Sequence, residues 1–209
     1  MVFLDAIAPD WRSSHPSVPA SGSIPHLPAG TVRPILLVTP DFDARRCDSI
    51  ESQQANYDDV LTLAGALPLI PPCQPDRIDD YLALANGVVI TGIRPDGQAM
   101  DQPETFERRL VAAATGAGLP LLGISDGMHL ISRHLGGRKQ ERYRTVAHAE
   151  DGAVDAFEAN TRALCLGVRW HMSDRLTALD RALIGRFMAH CRQHAERTRG
   201  VAALAARAC

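Results

Sequence analysis

The chain has 209 residues, 45% of them hydrophobic and 22% charged, which suits one α/β unit with appendages and excludes both a disordered chain and a membrane-embedded one. A net charge of -2 supplies no basic field for nucleic acid, so no nucleic-acid partner is expected. No apolar run approaches the roughly 18 residues of a membrane helix, and Asp5 stands where a signal peptide needs basic residues, so no membrane association and a cytoplasmic location are expected.

Residues 1–33 carry Pro9, Pro16, Pro19, Pro25 and Pro28 among serines and glycines, and read as a proline-rich arm with Trp11 as its one large anchor. From residue 34 the texture changes. PILLVTP (34–40) reads as a buried strand, and residues 49–66 place Ile50, Tyr57, Val60, Leu61 and Ala64 at helical spacing. LPLIPP (67–72) reads as a second strand. A helix over 75–86 opens on Pro75 and turns Ile78, Tyr81, Leu82 and Ala85 inward, and the strand GVVIT follows. The next helix, 103–115, buries Phe106, Leu110, Val111 and Ala114, while Glu104 and Glu107 read as acids of its first turn.

LPLLGI then leads into PLLGISDGMH (120–129), a strand-to-helix turn that presents Ser125, with a helix running on to Gly136 and Gly137. Past it, TVAHAE and AVDAFE flank Asp151 and Gly152, the signature of a hairpin. ALCLGVRW (163–170) is a further strand, and residues 174–196 form the last helix, with Leu176, Leu179, Leu183, Ile184 and Phe187 on one stripe. The expected fold is a doubly wound α/β core over residues 34–196, with a mostly parallel sheet, a C-terminal hairpin or meander and a final helix; 197–209 is a tail.

Five cysteines, Cys47, Cys73, Cys165, Cys191 and Cys209, are odd in number and lack a CxxC, which fits reduced thiols and no structural zinc. His190 and His194 lie four apart on a helix but have no third ligand, so they read as a solvated helix end and no metal is expected. No cofactor motif is present. Arg138, Lys139, Arg142 and Arg144 read as a solvated basic connection, with an acidic partner as the sharper alternative.

Ser125 is flanked by Gly123 and Gly127 in a G-x-S-x-G pattern between an apolar strand and a helix, the context in which a tight turn exposes a nucleophile. A serine needs a base within hydrogen-bond reach. His171, on a turn after an apolar strand, is the leading candidate; His129 and His134 lie on the helix behind Ser125 and read as ordinary helix histidines. A serine α/β-hydrolase order of Ser, acid, His is met by Asp155 or Glu158 before His171.

The segments YDDVLTLAGALPLIPP, NGVVITGIRPDG, PETFERRLVAAATGAGLPLLGISDGMHLISRHLGG, VAHAEDGAVDAFE and LGVRWHMSD resemble, in order, the landmarks of class I glutamine amidotransferase-like proteins, which have a flavodoxin-like α/β fold. Within them the chain is similar to the gamma-glutamyl-gamma-aminobutyrate hydrolase branch, peptidase family C26. That branch carries a cysteine in G-I-C-x-G and a histidine and glutamate in W-H-P-E. The resemblance places the nucleophile position at Ser125, the base at His171 and the glutamate position at Ser173, with Asp174 one residue beyond. It places the oxyanion donors at Gly92, Ile93 and Asp126, and implies a gamma-glutamyl or glutamine-like ligand.

Departures from the family are concentrated at the site. Serine replaces cysteine, Ser173 replaces the glutamate, Met172 replaces the proline, Ile93 stands where a second glycine is usual, and Asp126 sets a carboxylate beside the nucleophile. GGRKQERYR passes straight to the hairpin where the family inserts a long stretch with an N-S-x-H-x-Q segment. The expectation is a catalytically degenerate relative that acts by binding or assembly, with a protein partner or homo-oligomer formed through the arm or an exposed sheet edge. The alternative is a weak Ser125/His171 hydrolase of gamma-glutamyl amides.

Overall fold

A computed structural model describes residues 32–40, 58–92, 101–136, 143–170 and 176–207. Residues 1–31 of the proline-rich arm, Cys47 and Cys209 lie outside them, as do Ile93, Arg138, Lys139 and Arg142. Seven strands form one sheet: β1 (Ile35–Val38), β2 (Leu67–Leu69), β3 (Gly87–Ile90), β4 (Leu121–Ile124), β5 (Arg144–His148), β6 (Val154–Asn160) and β7 (Leu164–Val168). Their spatial order is β2-β1-β3-β4-β7-β6-β5. The first five in that order are mutually parallel, and β6 and β5 add antiparallel at one edge.

The helices are α1 (58–63), α2 (Ile78–Leu84, entered through a 3₁₀ turn at Pro75–Arg77), α3 (Asp101–Ala117), α4 (Asp126–His134) and α5 (Ala178–Arg207). Strand residues alternate between two cores, as the period of two requires. Leu36, Val38, Val89, Leu122 and Ile124 point to one side, against Val60 and Leu61 of α1 and Leu183, Phe187 and Cys191 of α5. Leu37, Val88, Ile90 and Leu121 point to the other, against Leu82 of α2, Phe106 and Leu110 of α3 and Ile131 of α4. Both faces are covered, which is why these strands read as unbroken apolar runs. Each such fully buried side chain contributes about 1.5–3 kcal/mol, so the sheet and its helices form one interlocked unit.

Several element boundaries differ from the sequence reading: β2 ends at Leu69 rather than Pro72, and α3 runs Asp101–Ala117 rather than 103–115. Pro75 sits in a 3₁₀ turn, and regular α2 begins only at Ile78. The last helix begins at Ala178 rather than 174 and continues past 196 to Arg207, because the Ala-rich stretch has high intrinsic helix propensity. At the β2 edge, Leu67 donates its N–H to Pro34 O, and Pro68 carries no N–H to offer an added strand. This blunts an edge whose Leu67 and Leu69 are 47% and 41% exposed. At the other edge, the hairpin forms at Asp151 and Gly152, where the Asp151 carboxylate accepts from Ala153 N–H at 2.9 Å and Gly152 takes φ 79°.

Candidate functional site at the Ser125 turn

The C-terminal ends of β1, β3, β4 and β7 meet at one end of the sheet, where ligands of open α/β sheets bind. Ser125 follows the last residue of β4 and precedes α4. It is the one non-glycine residue among those described with positive φ, at φ 54° and ψ -115°. Such a conformation costs about 1–3 kcal/mol and persists only where the surroundings enforce it.

Those surroundings can be named. Ser125 N–H donates to Val168 O of β7 at 2.8 Å, and Met128 N–H donates to Ser125 O at 3.1 Å, closing the first turn of α4. Gly127 lies against β3 so closely that a Cβ there would collide with the carbonyl of Ile90. A Cβ on Gly123 would meet the carbonyl carbon and oxygen of Gly127 at 2.7 Å. The glycines of G-x-S-x-G therefore let strand and helix start close on each other, and Ser125 absorbs the bend. Its hydroxyl does not cap α4 and has no hydrogen-bond partner among the described residues.

Gly92, just past β3, has φ 86°, and a Cβ there would collide with Asp126 and the Gly127 N–H. The turn after β3 thus rests on the start of α4. Beneath it lies a buried polar network. Thr39, Thr91 and Glu107 are 0%, 4% and 0% exposed. The Thr39 hydroxyl donates to Glu107 Oε1 at 2.6 Å, and Gly92 N–H donates to the same oxygen at 3.2 Å. The Thr91 hydroxyl donates to Thr39 O, and Thr91 N–H to Thr39 Oγ1, both at 3.0 Å.

Glu107 is therefore not a first-turn acid serving the helix dipole. It lies seven residues into α3 and holds the tips of β1 and β3. Its signal in the sequence was a charge on the apolar stripe, three residues before Leu110 and seven before Ala114. The same contact directs the Gly92 N–H to Glu107, so an oxyanion donor at this turn would have to come from beyond it.

His171, Ser173 and Asp174 lie outside the described residues, but what brackets them is described. The Trp170 indole N–H donates to Asp180 Oδ1 at 2.7 Å. Thr177 and Asp180 cap the N-terminus of α5 reciprocally: Thr177 N–H and hydroxyl donate to Asp180 Oδ2 at 2.8 and 2.7 Å, and Asp180 N–H donates to Thr177 Oγ1 at 3.1 Å. The two ends of the His171 segment are thereby tied to one buried carboxylate, Asp180, 3% exposed. The T-x-x-D spacing at 177–180 was the available sequence signal.

Asp155 and Glu158, the acids that would complete a Ser, acid, His order, are engaged elsewhere. Asp155 Oδ1 accepts from Arg169 Nε at 2.5 Å, and the buried Glu158 holds Arg186 at 2.5 Å and Arg144 at 3.7 Å. Arg144, read from sequence as solvated, is thus anchored. His129 and His134 are exposed on α4. Burial lowers the pKa of His190 and His194, with nearby arginines acting in the same direction. No group of three metal-ligating side chains exists among the described residues. No helix among them is long and apolar enough to cross a membrane.

Comparison with known proteins fits this geometry. The Peptidase C26 family model matches residues 41–142, which take in β2, β3, α3, the Ser125 turn and α4. A glutamine amidotransferase-like protein of Rickettsia prowazekii is 29% identical over a stretch that takes in 48% of this chain and 43% of that relative. These matches support a class I glutamine amidotransferase-like family for the matched part of the chain. The chain thus matches less than half the length of that curated relative. Among solved structures, a GMP synthase-type protein of Thermoplasma acidophilum superimposes with a TM-score of 0.56. It is 16% identical, and the match covers 80% of this chain and 99% of that one, a likeness of fold. The mostly parallel seven-stranded sheet is a flavodoxin-like α/β core.

Proposed function

We propose that this glutamine amidotransferase-like chain is catalytically degenerate, and that its Ser125 turn binds a gamma-glutamyl or glutamine-like group without turning it over efficiently. The observation that carries the reading is a strained turn at φ 54° whose serine hydroxyl has no hydrogen-bond partner among the described residues. A serine hydroxyl is a competent hydrogen-bond donor and acceptor, and a poor nucleophile unless a base lies within reach. Two features favour binding over turnover. The Asp126 carboxylate follows the serine and disfavours a developing anion, and the Gly92 N–H is committed to Glu107. Ser173 at the family's glutamate position adds a third. Cys73, Cys165 and Cys191 are free thiols, which accords with a cytoplasmic setting.

The experiment is release of glutamate from gamma-glutamyl-aminobutyrate by wild type, Ser125→Ala and Ser125→Cys, with calorimetric binding of the same compound. Binding without turnover in wild type is expected. Turnover by wild type that vanishes in Ser125→Ala would overturn the reading in favour of a weak Ser125/His171 hydrolase. The observation favouring that second reading is the backbone strain itself, which concentrates at working active sites. Action through assembly is tested separately by the mass of the full chain against a chain lacking residues 1–30. A smaller particle on truncation assigns assembly to the arm, and an unchanged one removes the arm from it.

A further inference from the structure

A second concave site lies away from the Ser125 turn. A groove of about 540 Å³ runs between the outer faces of α3 and α4, within the size range of small-molecule sites. Its rim is formed by Arg108 and Arg109 of α3 and by Arg133 and His134 of α4. Val111 and Leu130 form part of its floor. Arg133 is eight residues along α4 from Ser125, about 12 Å by helix rise. Glu107 and Arg108 are neighbours in sequence, yet one is buried beneath the turn after β3 and the other is exposed and lines this groove.

The charged residues that line this groove are all cationic. Arg108 and Arg133 make no ion pair with a described residue, and Arg109 meets Asp76 only at 3.7 Å with both side chains mostly exposed, a weak pair. Arg133 and His134 complement the dipole at the C-terminal end of α4. That account does not reach Arg108 and Arg109, which sit in the middle of α3. Two cationic rims facing each other across a cleft repel, in a chain whose net charge is -2. A cleft lined by one sign of charge focuses its field on a ligand of the other. The spacing adds a second requirement: Val111 lies three residues after Arg108, and Leu130 three before Arg133, so the guanidinium groups flank an apolar floor.

We propose that this groove binds a small molecule bearing two or more phosphate or carboxylate groups on an apolar body. The guanidinium groups take the anionic groups in forked hydrogen bonds, and Val111 and Leu130 receive the body.

Three probes separate the chemistry: ATP, inorganic pyrophosphate and citrate, titrated calorimetrically into the full chain at low and high salt. ATP is expected to bind more tightly than about 1 mM, more tightly than pyrophosphate, and more weakly as salt rises. Citrate, which also lacks an apolar body, is expected to bind more weakly than ATP, and equal affinity would count against the apolar floor. Arg108→Ala and Arg133→Ala are each expected to weaken binding about tenfold, and Arg33→Ala, an exposed arginine ahead of β1, to leave it unchanged. All three arginines are exposed, so these variants should fold. Equal affinity for pyrophosphate and ATP would overturn the apolar half of the proposal. No binding by any probe, binding indifferent to Arg108→Ala with Arg133→Ala, or binding confined to an acidic peptide such as oligo-glutamate would overturn it altogether.

Discussion

Two turns of this protein use glycine for different physical reasons. At the β5–β6 hairpin, Gly152 has φ 79° and open space around it, so glycine is needed there for its backbone freedom alone. At the Ser125 turn the demand is for space. Gly127 leaves no room for a Cβ against the Ile90 carbonyl, Gly123 leaves none against Gly127, and Gly92 is short of room and has φ 86° as well. The residue in the most demanding conformation of that turn, Ser125, is not a glycine at all. The hairpin minimises local strain, whereas the Ser125 turn concentrates it on the backbone of one residue and fastens that backbone on both sides.

The largest effect that would test this contrast is Gly127→Ala, in which a methyl group must displace the β3 backbone. A loss of more than about 3 kcal/mol in denaturant unfolding is expected, and a small loss would mean that α4 does not press on β3. Next is Glu107→Ala, which leaves the Thr39 hydroxyl and the Gly92 N–H without this acceptor and should cost about 2–3 kcal/mol. Glu107→Gln, which keeps an acceptor oxygen, should recover part of that loss. Equal losses from the alanine and glutamine variants would mean that the carboxylate charge, rather than the acceptor, holds the turn.

Ser125→Gly should raise stability by about 1 kcal/mol, since relief of strain exceeds the added chain entropy of glycine. A decrease in the thermal midpoint would show that no strain is stored there. Gly152→Ala should cost about 1 kcal/mol, because only the left-handed backbone opposes it. The smallest effect concerns pH. His190 and His194 have depressed pKa values in the fold, so both are neutral above the unfolded value near 6.5, and stability is lost as pH falls through and below it. His190→Gln with His194→Gln should flatten that acid limb; an unchanged limb would assign it to other groups.

Much of the core was legible in the chain. The apolar runs at 35–38, 87–90 and 121–124 and the helical stripe Phe106, Leu110, Val111 and Ala114 appear as read. These are local regularities, in which the period of the pattern is the period of the backbone. Glu107 was misread because a carboxylate in a helix is by itself equally compatible with solvent and with a buried acceptor. Only the approach of Thr39 and Gly92, 68 and 15 residues away in sequence, distinguishes the two. Asp155 and Glu158 satisfied an order along the chain, yet order says nothing about which arginine stands across the strand. Asp180 is legible only once the last helix begins after Thr177, since a helix from 174 leaves no cap position there.

By itself, then, the sequence determined the layered α/β fold and the presence of a glycine-lined turn at Ser125, because hydrophobic period and glycine placement are written along the chain. The tertiary structure alone decided that β7 runs beside β4, so that the Val168 carbonyl fastens Ser125. It also decided that Glu107 lies beneath Gly92, and that arginines 24 or 25 residues apart, Arg108 and Arg109 against Arg133, face each other across one groove. These are encounters between distant segments, set by the order of strands in the sheet and the packing of helices on it, and no local free-energy preference records them.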